Sequence, residues 1–258
     1  MAVRKFRICA LAVFAATLSI IHIAAAADKV NCAPEDKSCL FSMLDRFTGQ
    51  IDETSWRDQT LREYAKLLAR DKRETEAVAV IGRIENPDTK AMTIRGIGMQ
   101  AAKTDMTPEE FRALFAALRA EAEKIKEPPS YAIALTYIAM AQVFAHQDAD
   151  AMKTAADMKN SSLRNKAYNE SAKIQADRGD LDLALASIAA IDSPIFRDKA
   201  HYTIAKILAN AKRYGLAQQA ALKIGNPYQR AQAVLHILAS QITPEEKQVT
   251  PDDAIGAE

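Results

Sequence analysis

Few side chains in this sequence have the types and spacing that chemistry requires. His146, His201 and His236 are far apart, with no H-E-x-x-H, no His pair four residues apart and no neighbouring cysteine, so no zinc-ligand spacing is present. No G-x-S-x-G occurs, and "RGIGMQ" at 95–100 is a lone G-x-G inside a helical pattern, not a phosphate-binding turn after a strand. Carboxylates are plentiful, Glu170 in "YNESAK" among them. Glycosidic hydrolysis by paired acids, however, needs one carboxyl in an apolar pocket, usually with aromatic platforms, and aromatics are only 6% of the chain. No cofactor and no metal is expected. A cell-wall-acting, peptidoglycan-cleaving enzyme on an α-superhelical scaffold is the catalytic alternative.

Two other groups of residues merit a reading. Cys32 and Cys39 bracket "NCAPEDKSC", too widely spaced for a C-x-x-C redox pair and without further metal ligands. A structural disulfide closing this short loop is the expectation. Arg164, Arg197 and Arg230 recur at intervals of 33, with Lys90 and Tyr131 at the corresponding earlier places. Each falls in the first turn of an expected helix, where a cation opposes the macrodipole and should have a compensating partner. Two roles are open: a bridge inside the fold, to an acid or a helix C-terminal carbonyl of the neighbouring unit, or a ladder that grips a partner's carboxylates through the guanidinium fork.

The elements that position these residues follow an internal repeat. "IDSPIFRDKA" from Ile191 and "IGNPYQRAQA" from Ile224 share Ile, Pro, Arg and Ala at the same spacing. Five copies align, with Ile84, Ile125, Met158, Ile191 and Ile224 in the first place and Pro87, Pro128, Ser161, Pro194 and Pro227 in the second. The last four copies share that interval of 33; an insertion stands between the first and second. A period of this length marks stacked supersecondary units. Asn86, Glu127, Asn160, Ser193 and Asn226 precede the Pro position. Four of these five are strong N-cap types, and Pro suits the first helical residue. Each motif therefore ends one helix at the Ile and begins the next at the Pro.

Small or apolar residues recur on the following helix at Ala134, Ala167, Ala200 and Ala233, and four residues on at Ile138, Ser171, Ile204 and Ile237, one apolar face at helical spacing. The expected helices run near 55–70, 75–84, 88–103, 108–126, 130–146, 149–159, 162–178, 181–191, 195–212, 215–224 and 228–241. Thr107, Pro108 and Glu110 spell a capping box that opens the lengthened helix of the insertion. "DRGDLD" around Gly179 and "KRYG" ending at Gly215 read as the turns between units.

"QADRGDLDLALASIAAIDSP" resembles the turn and second helix of a tetratricopeptide repeat, a likeness covering roughly residues 75–241 with a period of 33 in place of 34 and Leu181 where the family has an aromatic. The resemblance implies a degenerate repeat of that kind, with a curved surface for a protein or peptide and no catalytic residues. The fold class expected is all-α, a right-handed α-solenoid of about five antiparallel helix pairs. Trp56, Tyr64, Phe111, Phe115, Tyr131, Tyr137 and Phe144 would pack the core or line the concave face.

The ends have their own signals. "MAVRKFR", an apolar run and "AAAADK" read as a signal peptide over 1–27, cleaved near Ala26 or Ala27, with an uncleaved membrane anchor as the alternative. Without those residues 31 cations face 33 acids, which gives no electrostatic reason for a nucleic-acid partner. Residues 28–54 form a cysteine-containing segment, 55–242 the repeats, and 243–258 an acidic, disordered tail. The functional expectation is an exported, non-enzymatic binding module, periplasmic in a Gram-negative bacterium, with Arg164, Arg197 and Arg230 as candidate contacts. A subunit that stacks on copies of itself is the further alternative.

Overall fold

The computed structural model describes residues 32, 33 and 35–242. The expected leader and acidic tail lie outside the described residues. Among those described there are twelve α-helices and no strand: α1 Lys37–Thr48, α2 Thr54–Arg70, α3 Glu74–Ile81, α4 Pro87–Ala101, α5 Pro108–Glu123, α6 Pro128–Phe144, α7 Asp148–Ala156, α8 Ser161–Arg178, α9 Leu181–Ala189, α10 Pro194–Asn210, α11 Tyr214–Leu222 and α12 Pro227–Gln241. Helices α2 to α12 correspond to the eleven that the sequence predicts. Helix α1 is an addition: Leu40, Phe41, Leu44 and Phe47 have helical spacing, and the Asp36 carboxylate accepts the Cys39 N–H at its start.

The chain divides into two units, residues 1–43 and 44–258, with α1 crossing the boundary. In the first, Cys32 and Cys39 form the expected disulfide, with a Cα–Cα distance of 5.6 Å. In the second, the even-numbered helices α2 to α12 pack in chain order, each against the next. The odd-numbered helices α3 to α11 each pack against the even helix before and after.

Each junction differs from expectation in one respect. The odd helix stops two or three residues before the motif's Ile, which sits in the turn and is buried. The Ile is thus a plug under the junction and not the last helical residue; it fills the angle where two helices diverge. Pro then opens the even helix in α4, α6, α10 and α12 as the sequence indicates. Asn86, Asn160 and Asn226 cap α4, α8 and α12 by accepting the N–H three residues on, at 2.8–3.0 Å. Ser193 makes no such side-chain bond, and neither does Glu127.

A sixth copy precedes the five. Ile51 lies one full period before Ile84, Thr54 takes the Pro position at the start of α2, and Arg57 takes the Arg position. Glu53 caps that helix, accepting from the Ser55 and Trp56 N–H groups. The Ser55 hydroxyl, which also donates to it, together with these bonds holds its carboxyl below the usual carboxylate range.

At the opposite ends of α2, α6, α8 and α10 the chain reverses through one left-handed residue. Lys72, His146 and Lys212 have φ near +60°, and Gly179 has φ +94°. All four occupy the same place in their copies, counted from Thr54, Pro128, Pro194 and Ser161 respectively. The turn read at "KRYG" is present, and its first residue, Lys212, makes the reversal, while Gly215 lies inside α11.

A candidate groove on the even-numbered helices

The motif arginines work at the junctions. Arg57, Arg164, Arg197 and Arg230 each donate to the backbone carbonyl six residues earlier, on Ile51, Met158, Ile191 and Ile224, at 2.7–3.4 Å. Arg57 and Arg164 also reach forward to acids in the next junction, Glu85 and Asp192. Arg230 adds the Gly225 carbonyl. The partial negative charge of the odd helix's C-terminal turn thus compensates the cation at the even helix's N-terminus. Of the two roles the sequence left open, these bonds favour the one inside the fold, with the carbonyl in the arginine's own junction and the acid in the neighbouring one.

A second set of bonds joins successive junctions. The buried Asp58 carboxylate accepts from the Glu85 and Asn86 N–H groups, at 3.1 and 2.7 Å. Asp198 accepts from Gly225 and Asn226, both at 2.8 Å, and Asn165 accepts from Asp192 at 3.2 Å. All three lie four residues after a Pro position and satisfy backbone donors that no helix pairs. On the other edge, Arg178 holds the Val143 carbonyl and Asp148, while Arg213 holds the Ala176 and Asp177 carbonyls. Two buried polar pairs, Gln142 with Thr154 and Gln175 with Ser187, recur one period apart and tie an even helix to the odd helix after it.

With those groups engaged, the solvent-facing side of the even helices holds a different set. Between α8 and α10 runs a groove of about 330 Å³ lined by Ser162, Asn165, Lys166, Asn169, Phe196 and Lys199, with Ile191 and Thr203 completing it. Lys166 and Lys199 occupy the same place in successive copies and have no ion-pair partner among the described residues. Phe196 is 55% exposed, and Ile195 beside it 75%. Two ammonium groups, amides, hydroxyls and an exposed aromatic ring suit an extended chain carrying carboxylates and an apolar side chain.

Several other cations of the even helices are matched locally. Lys66 pairs with Glu63, Lys173 pairs with Glu170 at 2.6 Å, Arg95 lies over the Tyr137 ring and Lys206 over the Tyr202 ring. Glu170, the acid weighed for hydrolysis, is thus ion-paired. The aromatic set divides: Tyr64, Phe111 and Phe115 are buried, whereas Trp56 and Phe144 are exposed. Sequence reading missed the groove because Lys166, Lys199 and Phe196 carry no motif; the alignment of the two lysines at the repeat period was the available signal.

The histidines lie apart. His236 contacts Asn210 at 2.9 Å, and His146 makes a turn. His201 stands seven residues after its Pro, a place filled by Leu61, Ile94, Leu135 and Tyr168 in other copies and buried there. Burial lowers its pKa, against the opposing pull of Asp198; Lys223 and Arg197 add to the lowering. The unfolded chain therefore binds the proton more readily, so the contribution of neutral His201 is present above its unfolded value and is lost as pH falls. His201→Leu is expected to raise the urea midpoint at pH 5.5 more than at pH 8, measured by far-ultraviolet circular dichroism.

Among the described residues no three potential ligands are grouped to hold a metal, and no helix is long and apolar enough to cross a membrane. Comparison with protein-family models, curated proteins and solved structures finds no match for this chain.

Proposed function

We propose that this chain is an exported, non-enzymatic binding module that takes an acidic segment of a protein or peptide partner along its even-numbered helices. The observation that carries this reading is the α8/α10 groove, where Lys166 and Lys199 flank exposed Phe196 without an internal counter-ion among the described residues. The fold proposed is a right-handed α-solenoid of tetratricopeptide-like type, with α3/α4, α5/α6, α7/α8, α9/α10 and α11/α12 as five antiparallel pairs and α2 as an added helix. The packing of successive even helices supports it. Arg164, Arg197 and Arg230 act in the junctions, and the lysines meet the partner. The Cys32–Cys39 bond supports an oxidising compartment, the periplasm if the source is Gram-negative. The near-balance of charge gives no electrostatic reason for a nucleic-acid partner.

The experiment is to express the chain in its own host, crosslink within the envelope and identify what co-purifies with the native protein, with Lys166→Glu/Lys199→Glu, and with Arg164→Ala/Arg197→Ala/Arg230→Ala. A partner lost from the lysine variant while its thermal melting is unchanged supports the groove. A partner retained by that variant but lost from a folded arginine variant moves the contact to the arginines. No partner in any of the three contradicts the binding module.

A further inference from the structure

We infer that the partner's segment carries two acidic stretches, and that the second fills another groove, between α2 and α4. The inference rests on the reading of the α8/α10 groove as the partner site. The second groove holds about 340 Å³ and is lined by Arg62 and Lys66 of α2 and by Met92, Arg95, Gly96 and Met99 of α4; among the described residues no carboxylate lines it. Shared repeat positions put both grooves on one side of the even-helix layer. On the first helix of each groove, Arg62 and Asn169 stand eight residues after the Pro position. On the second helix, Met92 and Lys199 stand five after it, and Gly96 and Thr203 nine after it.

Positive charge is in excess at this groove. Arg62 and Lys66 share a single carboxylate, Glu63, at 3.0 and 2.5 Å. The Arg95 guanidinium lies 5.2 Å from the centroid of the Tyr137 ring, a contact that holds the cation without neutralising it. Three cations thus face one acid. Gly96 adds a second sign of a built site. It lies inside α4, where glycine weakens a helix and no left-handed backbone calls for it. A Cβ added there would stand 2.7 Å from Cγ and 2.9 Å from Cδ of Lys66, so its absence lets the lysine stem lie against α4 at the groove.

Between the two grooves the layer changes character. Helix α6 stands between α4 and α8 in the packing order and contains no charged residue. Ile133, Tyr137 and Met140, five, nine and twelve residues after its Pro, are half-buried. The layer is therefore cationic, uncharged and cationic in turn from α2 to α10. A chain that complements it is acidic, uncharged and acidic. Packed helices lie about 8–10 Å apart, so grooves three helices apart are separated by about 24–30 Å. An extended chain covers that distance in about seven to nine residues.

The test is calorimetric titration of the protein, purified after expression of the full coding sequence, with three synthetic peptides. The short peptide has about three glutamates beside a phenylalanine. The two long ones carry that stretch twice, separated by about eight or by about two residues of serine, alanine and leucine. The native protein is expected to bind the wide-spaced peptide about a hundredfold more tightly than the short one, because the second stretch binds at high effective concentration. The narrow-spaced peptide cannot span the grooves and should stay within about threefold of the short one. Arg62→Glu/Arg95→Glu, with its thermal melting unchanged, should return the wide-spaced peptide to the affinity of the short one. If that variant melts lower, Arg62→Gln/Arg95→Gln, which removes the attraction without reversing it, takes its place. Equal affinity for the short and wide-spaced peptides overturns the inference, as does a wide-spaced peptide that the arginine variants bind as tightly as the native chain does. Lys166→Glu/Lys199→Glu separates that failure from failure of the earlier reading. A short peptide that this variant binds more weakly keeps α8/α10 as a site even when the second groove is lost. A short peptide that it binds as tightly as the native chain does contradicts α8/α10 and overturns the inference with it.

Discussion

Asp58→Ala is expected to destabilise the protein by about 2–4 kcal/mol, the loss of a buried, charge-assisted acceptor together with the backbone donors left without a partner. Asp58 is 1% exposed, and its two oxygens hold the N–H groups of Glu85 and Asn86, where the chain turns from α3 into α4. Alanine would leave those donors without their carboxylate acceptor at a part-buried junction. Asp58→Asn, which keeps one acceptor oxygen, should recover part of the loss. Urea unfolding at neutral pH measures both. The equivalent Asp198→Ala should cost less, since its bonds to Gly225 and Asn226 are in an exposed setting. Equal losses at the two sites would mean that burial does not set the strength of the clasp.

Gly98→Val should cost about 3 kcal/mol by forcing α4 and α6 apart, because a Cβ there meets the Ala141 Cβ at 2.8 Å, with Phe115 and Leu118 closing the remaining space. Both groups in the collision belong to helix walls and cannot rotate away. Ala141→Gly in the same chain should restore about a third to a half of the loss, a positive coupling that a purely local effect of valine on helix propensity would not produce. A double variant no more stable than Gly98→Val alone would show that α4 relaxes in some other direction.

These two sites illustrate how far the sequence could be read. The helices from α2 to α12 were legible because Pro, Asn and Ile mark each junction at a fixed interval and because small residues recur at helical spacing. The copy at Ile51 was harder to see, since Thr54 stands where Pro would be, although Arg57 and the repeat interval were both present. Helix α1 was hidden by reading its cysteines as a loop framework. The turn at "KRYG" was legible, but not which residue makes it, because glycine is the usual left-handed residue whereas three of the four left-handed reversals use Lys or His. The role of the arginines could not be fixed from spacing alone. The series is the same whether a guanidinium points at a partner or folds back by six residues to a carbonyl, and only side-chain direction separates the two. Lys166, Lys199 and Phe196 become a group only when α8 and α10 are laid side by side, so the groove is a property of the packing and not of any local pattern.

The most direct measurement of the proposed function is a selection of random peptides displayed for binding to the native protein, followed by titration of an enriched peptide against Lys166→Glu/Lys199→Glu. Enriched peptides should carry Asp or Glu near an aromatic or large aliphatic residue, bind less tightly as salt rises, and lose at least about a hundredfold in affinity to the double variant through two reversed charges. Enrichment of basic or uncharged peptides, or an acidic peptide that binds the double variant as tightly as the native chain, would contradict the groove as the partner site.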